Sequence, residues 1–257
     1  MEQPEAVKRI GDKAMDKTIL ITGASSDLGM AYIREKGQGY TKIIAHFHRE
    51  NDKFAGLRAD YGDRMIPIQA DFGDRDSVKA FVEAVKAQGL VPTHVLHLAS
   101  PPAGSIRFHK CTVPEYERMM QVSFYSIVEI LRAFLPAMQK AGFGRIVFML
   151  SAYVKIADPK YAAPYVTAKY ALLGLMKDIA AEYASKGITA NGISPQMIET
   201  KFLQEIPELI LEKQRSAGPL QRLLITDDIL PVMEMLLSEG AAITGENIGI
   251  TGGNYIL

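Results

Sequence analysis

The sequence of 257 residues contains one cysteine, Cys111, so no disulfide can close within the chain and no cysteine-rich metal site can be assembled. Neither sign of charge is in excess, with 29 basic residues against 29 acidic ones. That balance excludes the electrostatic footprint expected of a nucleic-acid binder or a protein drawn to an anionic membrane. No apolar run approaches the ~20 residues that a membrane span requires. The stretch Met1 to Asp16 is charged and lacks the apolar segment of a secretory signal. It reads as a loosely held extension over residues 1–16, and the chain is expected to be cytoplasmic. Repeats, low-complexity tracts and linkers are also missing. What remains is a chain that is 48% hydrophobic, with ordinary numbers of glycine and proline. A core of that size suits a single α/β domain of ~250 residues.

Short apolar runs alternate with longer helical patterns throughout. Thr18–Ile21, Lys42–Phe47, Met65–Ile68, Val95–Leu98, Arg145–Leu150, Ile188–Ile193 and Glu246–Ile250 read as about seven strands. Most are apolar without alternation, as a parallel sheet covered on both faces demands. Between them, Asp74 to Gln88 places Val78, Phe81, Val82 and Val85 at helical spacing, with Asp74 as N-cap and Gly89 as stop. Pro114 to Lys140 reads as one long amphipathic helix, and Tyr161 to Lys186 as an alanine-rich one. The alternation predicts a single doubly wound α/β domain of the Rossmann type.

Two places carry chemistry. After the first strand comes Thr22-Gly23-Ala24-Ser25-Ser26-Asp27-Leu28-Gly29, a glycine-bracketed turn into a helix. Glycine allows the backbone to approach a pyrophosphate, and the helix N-terminus attracts its charge. Further on, Tyr165 and Lys169 are four residues apart and share one helix face. A phenol beside a fixed ammonium is an acid whose pKa falls from ~10. Ser151, fourteen residues before Tyr165, ends the strand Arg145–Leu150.

In this order and at this separation, the loop, the serine and the Tyr-x-x-x-Lys pair resemble the short-chain dehydrogenase/reductase family, from about Lys17 to Gly253. The resemblance implies a nicotinamide dinucleotide along Gly23, Ser25, Ser26, Asp27, Leu28 and Gly29. Asp27 stands where the family pattern has its middle glycine, so its carboxylate either points away from the diphosphate or serves free N–H groups at a helix start. Asp71, followed by Phe72, matches the family aspartate at the adenine, with a loop-capping role as the plainer reading. Ala99 and Ser100 fall in the segment that walls the adenosine side. Pro195, Ile198 and Thr200 match the segment that holds the carboxamide, with Gln196 in place of a glycine. After the second strand no acid occurs until Glu50, whereas Arg49, with His48 and Ser25, suits a 2′-phosphate. An acid there would instead bind the ribose hydroxyl of NAD. The cofactor expected is therefore NADP(H).

By the same resemblance, Ser151 holds a substrate carbonyl, Tyr165 protonates it and Lys169 supplies charge while binding the nicotinamide ribose. Ser123 replaces the asparagine that braces a proton-relay water. The segment 197–219 is expected to form a lid, apolar through Phe202, Leu203, Ile206, Leu209, Ile210 and Leu211, with His97, Ser100, Pro101 and Pro102 lining the other wall. The substrate expected is an apolar ketone, foremost a 3-oxoacyl thioester, acyl-carrier-protein-linked ones included. A homotetramer is implied as well, with the tail Asn254–Leu257 at a subunit contact. Two other readings stay open: an NAD-dependent alcohol dehydrogenase, and a non-catalytic dinucleotide-binding scaffold, to which Asp27, Ser123 and Gln196 point.

Overall fold

In the computed structural model, which describes residues 16–155, 160–238 and 242–254, all seven expected strands form. They are β1 (Thr18–Thr22), β2 (Lys42–Phe47), β3 (Met65–Gln69), β4 (His94–His97), β5 (Gly144–Met149), β6 (Ile188–Pro195) and β7 (Asn247–Ile250). They pair in parallel in the order β3-β2-β1-β4-β5-β6-β7. The order reverses at β1 and β4, which opens a crevice at the carboxyl ends of those strands, where dinucleotides bind in such folds.

The strands are apolar on both faces because both faces are covered. Leu20, Ile44, Val95 and Ile146 point into one core, with Val78, Ile130 and Leu172 from helices α3 (Arg75–Ala87), α5 (Ser126–Ala141) and α6 (Ala163–Tyr183). Their strand neighbours Ile19, Ile21, Ile43 and Val147 point into the other, with Ile33, Phe54 and Ile229 from α1 (Asp27–Lys36), α2 (Asp52–Tyr61) and α8 (Thr226–Leu237). Successive side chains on a strand alternate in direction, so each strand serves both layers.

Helix α3 starts and stops as expected: Asp74 accepts from the Asp76 N–H, and Gly89 lies just past its end at φ 67°. The expected helix Pro114–Lys140 is instead interrupted. It consists of α4 (Val113–Met120), a π-helical turn (Gln121–Tyr125) and α5. In that turn the Ser126 N–H reaches back five residues to Gln121 O. Two carbonyls there are bonded by side chains, Val122 O by the Ser126 hydroxyl at 2.6 Å and Ser123 O by the His97 ring at 2.8 Å. Competition of this kind for ladder acceptors is a recognised cause of such bulges. Helix α6 begins at Ala163, two residues later than expected, because Tyr161 sits at φ 62°.

The segment 197–219, expected to form the lid, contains a 3₁₀ turn (Lys201–Leu203) and helix α7 (Glu208–Ala217). It is tied down at its root by a parallel bridge between Ile198 and Leu224. Residues 1–15 of the expected extension and 255–257 of the tail lie outside the described residues. No helix among the described residues is long and apolar enough to cross a membrane.

Candidate active site

A cleft of about 1390 Å³ runs from the β1–α1 turn to the lid. At one end, Gly23 takes φ 71°, a left-handed conformation that glycine adopts without strain. Gly29 does not line the cleft; its role is close approach, since a Cβ there would lie 2.8 Å from both Gly23 O and Ala24 O. Ser26 caps α1 by accepting from the Gly29 N–H at 3.1 Å. The first-turn N–H groups of Asp27 and Leu28 have no intrahelical acceptor and border the cleft, a cradle that fits a diphosphate. The Asp27 carboxylate is engaged across the cleft: its Oδ2 accepts from the Lys201 backbone N–H at 2.8 Å.

His46 locks this loop, a role not foreseen from the sequence. Its Nδ1 accepts from the Gly23 N–H at 3.0 Å, which leaves Nε2–H to donate to Ala70 O at 3.1 Å. Its ring stacks on Phe72 with centroids 3.5 Å apart. Burial pushes the His46 pKa down to about 4, so the ring is neutral at pH 7. Beyond it, His48, Arg49, Asp71 and Ser25 border the cleft as expected. Glu50, the first acid after the second strand, is turned to Arg58 at 2.9 Å and does not border the cleft. Asp71 has the loop-capping bond of its plainer reading, accepting from the Gly73 N–H at 2.8 Å. Asn51, another residue the sequence reading missed, borders the cleft while donating to Ser25 O at 3.1 Å.

At the other end, the side chains of Ser151 and Tyr165 are hydrogen-bonded to each other. Lys169 lies one turn along α6, its Nζ 5.3 Å from the Tyr165 ring centroid and donating to Met149 O at the end of β5, 2.7 Å away. All three border the cleft. The expectation of a lowered phenol pKa is corrected: burial pushes Tyr165 up to about 12, against the opposing effect of the Ser151 hydrogen bond. The fixed cation is also weaker than expected, because burial pushes Lys169 down to about 7.

Ser123 is fully buried and does not border the cleft. Its hydroxyl donates to Ser100 Oγ at 3.2 Å, which braces the wall. One expectation about that wall is corrected. His97 is 1% exposed and does not line the substrate wall. Thr22 Oγ1 accepts from the Leu98 and Ala99 N–H groups, so its one proton goes to His97 Nδ1 at 2.8 Å, and Nε2–H is left to donate to Ser123 O.

Ser100, Pro101 and Pro102 of that expected wall border the cleft, as do Ala99 beside them and Pro195, Ile198 and Thr200 from β6 onward. Of the apolar lid residues, Phe202, Leu203, Ile206 and Ile210 face the cleft; Leu211 enters the core, and Leu209 is 83% exposed. Phe202 packs near Tyr165, with ring centroids 6.0 Å apart. Gln196, in the glycine position, is hydrogen-bonded to the Asn254 side chain.

A family model described as enoyl-(acyl carrier protein) reductase matches residues 24–254. The chain belongs to the short-chain dehydrogenase/reductase family. It is 31% identical over 256 residues to oxidoreductase UcpA of Salmonella typhimurium, covering 95% of this chain and 96% of that one. It is also 31% identical over 248 residues to an acetoacetyl-CoA reductase of Shinella zoogloeoides, covering 95% and 100% of the two chains. Among solved structures, a 3-oxoacyl-[acyl-carrier protein] reductase from Brucella melitensis superposes with a TM-score of 0.80 at 26% identity, over 100% of this chain and 99% of that one. As an oxidoreductase of this family, the chain carries its dinucleotide crevice and its serine, tyrosine and lysine in one cleft.

Proposed function

We propose that the protein is an NADPH-dependent carbonyl reductase that converts a 3-oxoacyl thioester, or a ketone of similar apolarity, to the secondary alcohol. The observation that carries this reading is the hydrogen-bonded pair Ser151 and Tyr165, with Lys169 behind it, at the end of a cleft whose far end presents Arg49. When bound, the reduced nicotinamide supplies the hydride.

The chain's own residues do the rest. The Ser151 hydroxyl donates to the carbonyl oxygen and fixes its position. The Tyr165 phenol, with its pKa pushed up to about 12, is protonated throughout the neutral range and gives its proton to that oxygen as negative charge develops there. Lys169, held at the tip of β5, stabilises the resulting phenolate in its charged form. Phe202, Ile206 and Ile210 exclude water and favour an acyl chain. The relatives named for acetoacetyl-CoA and 3-oxoacyl carrier-protein substrates support the thioester class. Arg49 and His48 at the cleft, with Glu50 turned to Arg58, support NADP over NAD.

The test is NADPH consumption across a panel of 3-oxoacyl thioesters, cyclic ketones and keto sugars, each repeated with NADH. Fastest turnover of the thioesters with NADPH is the expected outcome. Preference for NADH, or turnover of sugars alone, contradicts it.

A further inference from the structure

The lid's first turn, Lys201–Leu203, is a short 3₁₀ segment whose own N-terminal residue, Thr200, makes no side-chain capping bond. The Thr200 hydroxyl donates backward to Ile198 O at 3.2 Å instead. A helix start without a local cap leaves its first N–H groups without acceptors. Here the missing acceptor comes from elsewhere in the chain: Asp27 Oδ2 accepts from the Lys201 N–H at 2.8 Å, across 174 positions of sequence. Asp27 is itself the first residue of α1 and follows that helix's N-cap, Ser26. One carboxylate therefore sits at the start of two helical turns, one in the dinucleotide loop and one in the lid. The residue after Lys201 is Phe202, whose ring lies beside Tyr165.

We infer that Asp27 is a positioning residue for the lid, a cap supplied from the dinucleotide loop that sets Phe202 over the reacting tyrosine. Glycine at this position has no side chain to reach Lys201, so the substitution of the family's middle glycine adds a direct bond between the dinucleotide loop and the lid. The carboxylate is turned toward the lid, which also explains how the loop tolerates an acid beside a diphosphate cradle.

The plainer role, an acid in the first turn of α1 favoured by the helix dipole, acts through charge alone and is lost equally in Asp27→Asn and Asp27→Ala. A cap acts through an acceptor oxygen, which asparagine keeps and alanine lacks. Amide exchange of the full chain without added ligand separates the two. In Asp27→Ala the amides of residues 201–206 are expected to exchange about fivefold faster or more, as loss of a hydrogen bond of ordinary strength implies. In Asp27→Asn they are expected to stay within about twofold of the unaltered chain, and α1 is expected to keep its protection in both variants.

A second readout uses whichever ketone the panel above identifies, with NADPH: the KM of Asp27→Ala rises several-fold while kcat changes less, and Asp27→Asn restores it. Equal exchange rates at 201–206 in all three proteins overturn the inference, as does equal loosening of the lid in both variants. If no ketone in the panel is reduced, the proposed function fails, yet the exchange experiment still decides this inference.

Discussion

His97 donates its Nε2–H to the backbone carbonyl of Ser123 at 2.8 Å, joining the end of β4 to the π-helical turn between α4 and α5. The same ring accepts from Thr22 on β1, so a single neutral imidazole holds the two strands at the crevice and the helix that backs the Ser100 wall. Replacing it with alanine leaves a cavity and strands two buried polar groups. His97→Ala is expected to cost about 2–4 kcal/mol of stability, measured as the shift in urea midpoint. A loss under about 0.5 kcal/mol would show that the ring is not structural.

Three buried histidines make stability depend on pH. Burial pushes His46 down to about 4, and His94 and His97 to about 3, against an ordinary value of 6.5. Between those values and 6.5 the unfolded chain binds protons that the folded one refuses, so the contribution of these histidines is complete above their unfolded value of 6.5 and is lost as pH falls. Near pH 5.5 the three together give a slope of about 3–4 kcal/mol per pH unit. Urea titrations at half-unit intervals between pH 7.5 and 5 measure it, and a flat profile contradicts the burial of these rings.

Much of this was legible in the sequence, for reasons that also explain what was not. The strands stood out because a sheet covered on both faces needs unbroken apolar runs, as in Thr18–Ile21 and Lys42–Phe47. Asp74 and Gly89 bounded α3 because caps act within a few residues. The π-helical turn escaped notice because one of its causes, His97, lies 26 positions away. Asp27 had been narrowed to two roles but not to a partner, since that partner lies on the lid. The sign of the Tyr165 shift was misread because the sequence shows the lysine four residues on but not the burial that outweighs it. His97 was placed on the pocket wall for the same reason: its position after β4 was visible, while the inward turn of its ring was not.

Cofactor choice is expected to rest on Arg49. Removing a charge-assisted contact to a phosphate costs about 1.5–3 kcal/mol, or roughly a 10- to 100-fold weakening. Arg49→Ala is therefore expected to raise the Kd of NADPH by that factor and leave that of NADH nearly unchanged, by calorimetric titration. An equal change for both contradicts the 2′-phosphate assignment.

The buried ammonium sets the pH profile of reduction. Burial pushes Lys169 down to about 7, so its charge is present below that pH and disappears above it, while Tyr165 stays protonated throughout. The kcat/KM for reduction, which reports groups on the free enzyme, is expected to be level on the acid side and to fall as pH rises through about 7. A rate that stays level to pH 9 contradicts this role for Lys169.

The most direct measurement is NADPH-dependent turnover by Tyr165→Phe, with NADPH binding followed in parallel. The substitution removes one hydroxyl from a side chain packed between Ser151 and Phe202 and leaves the ring in place. Turnover reduced by at least about 100-fold, with the Kd for NADPH within about threefold of the unaltered protein, is the result the account requires. Turnover at the unaltered rate would show that the proton comes from another group, and the assignment of this tyrosine as the acid would be wrong.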